Sequence, residues 1–213
     1  MADTNLTATR RAWHGVAELV LAGPEYRRSG TIRLGVRPGG FGSIREPELR
    51  VEGAELLSRG ARVPLKGTTI ADVGAAAGVD VGAPEGLYHG GSGAAPGDRV
   101  DVDSAAAAYL AGCLAIGDAA LRRLAPDEMP VLWPEHFDVG IVVDEVNFGV
   151  SLGDDWLDEP YAYVSPWRKR SGEFWAAPFG AATPLRAHDN VDALTAYFTE
   201  GAARARNDPP ADA

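Results

Sequence analysis

The chain of 213 residues contains one cysteine, Cys113, and only two lysines, Lys66 and Lys169. A single cysteine rules out an intrachain disulfide, which excludes a small stapled scaffold. Basic residues number 20 against 30 acidic ones, a net charge of −10. Phosphate backbones are held by clustered Lys and Arg, so this balance argues against a nonspecific nucleic-acid binder. No apolar run reaches the roughly 18 residues that a spanning helix needs, so no membrane span is expected. The opening MADTNLTATRRAW has no apolar core segment, so no signal peptide is expected either, and a cytoplasmic protein is the default reading. There is no Walker A loop, no GxGxxG after a strand, no GxSxG and no HExxH. The common phosphate, dinucleotide, serine-hydrolase and zincin signatures are therefore missing.

Glycine and proline, by contrast, are plentiful, at 26 and 15. They are scattered between short apolar runs, which predicts many turns between short strands rather than a disordered tract. Residues 1–11 are polar and read as frayed. Residues 13–22 (WHGVAELVLA) and 31–37 (TIRLGVR) alternate, and together predict a hairpin. Short strands are expected from 41, over 49–57 and over 62–65. Thr69 with Asp72 three residues on predicts a capped helix to Ala77, stopped by Gly78. Residues 78–99 hold seven glycines and predict a long irregular loop.

Two main helices are expected, at about 104–124 and 192–205. In the first, Tyr109, Cys113, Ile116, Ala120 and Leu124 form one stripe that should pack on a sheet. Strands follow strands without intervening helices, which predicts an α+β fold with an antiparallel-rich sheet. The reading is one globular domain over 1–206 and a disordered tail over 207–213.

The densest stretch is 131–167, with three of the five tryptophans and no Lys or Arg before Arg168. Phe137, Val139, Ile141 and Val143 share one parity, and Val146, Phe148, Val150 and Leu152 share another. A hairpin turning at Asp144-Glu145 puts all eight on one face, pairing 143 with 146, 141 with 148, 139 with 150 and 137 with 152. The turn residues are not the favoured Asn-Gly type. On the other face Asp138 meets Ser151, Val142 meets Asn147, and Gly140 meets Gly149. Paired glycines leave a gap that a ring, a backbone or a ligand can enter. Neighbouring aromatics could cover that gap, or it could floor a pocket.

In strand alternation His136 and Asp138 point the same way, roughly 6–7 Å apart at Cα. That suits a general-base pair, or two ligands of one metal with His14 or His89 as a third. Four histidines without close-set spacing do not themselves define a metal site. Trp133, His136, Asp138, Asn147 and Ser151 are the candidate ligand-binding residues, with His136 and Asp138 the catalytic candidates.

At Trp-Pro-Glu-His-Phe-Asp (133–138) and Pro-Tyr-Ala-Tyr-Val-Ser-Pro-Trp (160–167) the chain resembles a group of bacterial proteins, mostly actinobacterial, that share the first segment. The likeness covers roughly a quarter of the chain and implies no activity. The sequence therefore points to a small-molecule binder with an aromatic-lined pocket near 133–151. A His/Asp-dependent or metal-assisted hydrolase at the same place is one alternative. A protein-interaction module using the acidic, aromatic segment 153–175 is the other.

Overall fold

The computed structural model describes residues 2–211, with side chains from residue 5 onward. The fold is α+β, and the strand pairings within each of its two compact units are antiparallel. The first unit comprises 1–112 and 132–137; the second comprises 113–131 and 138–213.

The first unit opens with helix α1 (Ala2–Val16), a π-helical turn (Ala17–Ala22) and helix α2 (Gly23–Ser29). The expectations of a frayed start and of a strand over 13–22 are thus corrected. The cause is burial on every side: Trp13, Val16, Ala17, Leu19, Val20 and Leu21 are all buried. A segment that is apolar all round carries no period, and chance alternation then imitates a strand. Ala, Leu and Glu favour the helix.

Strands β1 (Leu34–Arg37), β2 (Gly40–Ser43), β3 (Leu49–Glu52), β4 (Glu55–Ser58) and β5 (Ala61–Pro64) form a meander. A sixth strand, β6 (Val131–Trp133), joins β1 through Leu34 and Leu132. Helix α3 (Ile70–Ala77) has the expected start: the Thr69 side chain accepts from Asp72 N–H, and the Asp72 carboxylate accepts from Thr69 N–H. Gly78 ends it in the left-handed conformation at φ 70°.

Helix α4 (Ser104–Leu124) lies where expected and runs through the division between the units. Its length and composition would let it cross a bilayer, yet 44% of its most apolar window is buried inside the protein. Of the expected stripe, Cys113 and Ala120 are buried, Ile116 and Leu124 are half-buried and Tyr109 is exposed, with Ala107, Leu110, Leu114 and Leu121 also buried. Gly117 makes a close approach, where an added Cβ would lie 2.9 Å from Val150.

The second unit has strands β7 (Asp138–Val143), β8 (Val146–Ser151), β9 (Tyr161–Pro166) and β10 (Ala181–Pro184) in spatial order β10-β9-β8-β7. The β7–β8 register is the expected one at every pair from Asp138–Ser151 to Val143–Val146. Val139, Ile141, Val146, Phe148, Val150 and Leu152 are buried. Helix α5 (Val191–Asn207) is capped by Asn190, whose side chain accepts from Ala193 N–H. It buries Leu194 and Phe198, and Gly201 brings it against Val164, 2.7 Å from an added Cβ. Past α5 the backbone pairs with 169–171: Ser171 N–H donates to Pro209 O (2.9 Å) and Ala211 N–H to Lys169 O (3.0 Å). Of the segment read as a disordered tail, Asp212 and Ala213 lie outside the described residues.

Candidate functional site

Residues 134–137 form a turn, not the first residues of a strand. Phe137 has φ 53°, an outlier for a bulky residue. Its N–H donates to Trp133 O (2.8 Å), and its buried ring lies between His14 (5.1 Å, stacked) and Phe41 (5.3 Å, edge-on). Burial of that ring offsets the backbone cost. Alternation breaks at this residue, which corrects the expectation that His136 and Asp138 share a face. The His136 side chain is 75% exposed, with Glu135 3.8 Å away, whereas Asp138 is buried.

His14 is the histidine built into the structure. Its Nε2 lies 2.7 Å from the Pro134 carbonyl, which can only accept, so this nitrogen carries the proton. Burial lowers its pKa below the ordinary histidine value, against an opposing contribution from that hydrogen bond. Trp133 is half-buried, with the Arg33 guanidinium 5.6 Å from its ring. Nearby, the buried Glu18 carboxylate accepts from Tyr88 OH (2.9 Å), Ser92 N–H (2.8 Å) and Ser92 OH. These bonds fix the glycine-rich loop, and His89 on it is exposed. Among the described residues no group of three His, Cys, Asp or Glu side chains is placed to hold a metal ion.

In the second unit the outer face of the β7–β8 hairpin is closed by an aromatic side chain. Tyr163 lies over the paired glycines: a Cβ at Gly149 would sit 2.4 Å from its hydroxyl, and one at Gly140 3.1 Å from it. That hydroxyl donates to Asp138, and burial raises its pKa well above the usual tyrosine value. Ser151 Oγ accepts from Gly153 N–H (3.1 Å), and the Asn147 amide donates to Ser165 O (3.2 Å). Trp156, Tyr161 and Phe179 extend the aromatic cover, with ring centroids 5.1–6.3 Å apart. Asp138, Asn147 and Ser151 thus each make a bond within the fold.

A cavity of about 370 Å³ opens at the other end of the same hairpin, beside the Asp144-Glu145 turn. Its apolar lining includes Leu124, Val143, Val146, Phe148, Pro166 and Ala205. Arg123, Arg168, Arg170 and Arg206 also line it, against the carboxylates of Asp144 and Glu145. In a chain of net charge −10, this cavity carries an excess of two positive charges. Arg123 pairs with Asp192, and Arg206 stands 3.7 Å from Asp144. Arg170 Nε is buried and has no hydrogen-bond partner among the described residues. Such a donor carries a desolvation cost of about 1–3 kcal/mol until something accepts from it.

A second concavity, of about 520 Å³, lies in the first unit between 46–50 and 57–62. There Arg50 pairs with Glu52 (3.2 Å) and Arg62 with Glu55 (2.5 Å), so its charges are largely matched locally.

None of the four cavity arginines was singled out from the sequence for a site. Arg123 reads as a helix C-terminal charge, and the Arg168-Lys169-Arg170 run reads only as the end of an acidic stretch. Their convergence needs the β8–β9 pairing and the packing of α5, neither of which is written in local sequence. The chain matches no family model, no curated protein and no solved structure.

Proposed function

We propose that the protein binds a small organic anion, an apolar body bearing a carboxylate or phosphate, in the cavity beside the Asp144-Glu145 turn. The observation that carries this reading is the division of the cavity lining into an apolar surface and four arginines. Its volume falls in the range of small-ligand sites, roughly 300–1,000 Å³. Guanidinium groups match carboxylate and phosphate oxygens in planar, two-point geometry. Arg170 lines the cavity and brings a guanidinium group to it. Leu124, Val146 and Phe148 would take the apolar body.

A hydrolase centred on His136 and Asp138 draws less support. One side chain is mostly in solvent and the other is already bonded by Tyr163. The interaction reading draws on the exposed Trp167 and Trp156, although Trp156 also packs against Tyr161 and Phe179.

Isothermal titration of the full chain with 1-naphthoate, its neutral analogue 1-naphthalenemethanol and inorganic phosphate tests the proposal. The expectation is saturable binding of naphthoate, little binding of the alcohol, and loss of about tenfold or more in affinity on Arg170→Ala. Equal binding of acid and alcohol, or no binding of naphthoate, would overturn it.

A further inference from the structure

The turn at the cavity mouth is built from the wrong residues for its shape. Asp144 and Glu145 both hold positive φ, 50° and 61°, as in a type I′ turn. Such a turn favours Asn-Gly, and two side-chain-bearing residues there are strained, Glu145 the more so. The backbone is kept in place from both sides. Val143 pairs with Val146 across the turn, and Trp167 N–H donates to Glu145 O (2.9 Å). The result is that two carboxylates stand where four guanidinium groups converge. Strain of this kind, held by surrounding structure, marks places where the side chains serve something other than the fold.

The Asp144–Arg206 contact has the character of an exchangeable pair. At 3.7 Å it is longer than a hydrogen bond, and both side chains are mostly exposed (72% and 62%). An exposed pair of this sort adds little stability. A ligand carboxylate bonding Arg206 at two points would form the shorter, stronger contact.

From the strained turn, the long ion pair and the arginine-lined cavity together, we propose that Asp144 is a tethered counter-anion. It occupies Arg206 when the cavity holds no anion, and an incoming anion must displace it. Asp144 thereby weakens binding and selects against ligands that cannot engage Arg206 as well as a carboxylate does. This rests on the cavity being an anion site, as proposed above.

The test is a double-mutant cycle by isothermal titration with 1-naphthoate, using wild type, Asp144→Asn, Arg206→Ala and the double variant. Asparagine suits the turn backbone, so Asp144→Asn folds. The expected result is affinity about fivefold or more tighter in Asp144→Asn, within the usual size of such couplings. In the Arg206→Ala background the same substitution should change affinity by less than about twofold. Wild-type binding with no tightening in Asp144→Asn would overturn the counter-anion and leave the anion site standing. The same tightening with or without Arg206 would also overturn it, since the effect would then be general charge. No binding in wild type or Asp144→Asn would overturn both.

Discussion

The Tyr163 hydroxyl donates to Asp138 directly above the Gly140–Gly149 pair, so one side chain both fills the glycine gap and bonds a buried carboxylate. The two glycines are not equivalent beneath it. A methyl at Gly149 would meet the Tyr163 hydroxyl at 2.4 Å and its ring atoms at 2.5–2.7 Å, whereas at Gly140 it would meet the Phe148 carbonyl at 3.0 Å and the hydroxyl at 3.1 Å but no ring atom of Tyr163. Gly149→Ala should therefore cost about 1–3 kcal/mol, the usual range for overpacking, and Gly140→Ala less. Urea denaturation of the two variants checks the order. Equal costs would mean that Tyr163 does not hold this position.

Glu145 has a backbone that glycine adopts without strain. Glu145→Gly should stabilise the chain by about 1 kcal/mol, the lower end of the left-handed penalty. For a chain of this length that corresponds to a rise in Tm of roughly 2–4 °C. A calorimetric scan reads it directly, and a fall in Tm would show that the Glu145 side chain supports the hairpin.

His14 sets a pH dependence with a definite sign. Its pKa is lowered in the folded state, mainly by burial, so the unfolded chain binds the proton more readily. The stabilisation is full above the unfolded value near 6.5 and is lost as pH falls from there through the folded value. His188 is lowered by burial in the same direction. Stability measured by urea from pH 8 to pH 5 should decline below about pH 6.5. His14→Gln, which keeps a donor for the Pro134 carbonyl, should flatten that decline. An unchanged profile would assign the effect elsewhere.

Glu18 should matter more than its place in an apolar helix suggests. Glu18→Ala leaves Tyr88 OH, Ser92 OH and Ser92 N–H without this acceptor, at a cost of about 1–3 kcal/mol. Gly91→Ala should act through the same contact, since the added methyl would lie 2.1 Å from the Glu18 carboxylate. In both variants limited proteolysis should cut within 79–101 faster than in wild type. Unaltered cleavage would mean the loop is fixed by other contacts.

Much of the second unit was legible in the sequence because its pattern was two-sided. The parity change between Val143 and Val146 admitted one register that put the apolar residues together, and that register is present. The helix over 104–124 and the Thr69–Asp72 cap were readable for similar local reasons. The N-terminal helices were not, since a segment buried on all faces has no period to read. His136 was misleading because a positive φ at Phe137, undetectable in an alternating string, turns it away. The cavity arginines come from the end of α4, the chain after β9 and the end of α5. Only tertiary packing brings them together.

The π-helical turn carries a consequence for chain length. Gly23 N–H reaches back five residues to Glu18 O, so this turn holds one residue more than an α-helix would at the same place. Deleting one residue between Leu19 and Ala22 would let the regular ladder close. The wide turn takes up the surplus residue within itself, so Trp13 and Glu18 would keep nearly their present angles relative to Glu25 and Tyr26. The cost of the deletion would then be the buried side chain removed rather than a change of phase.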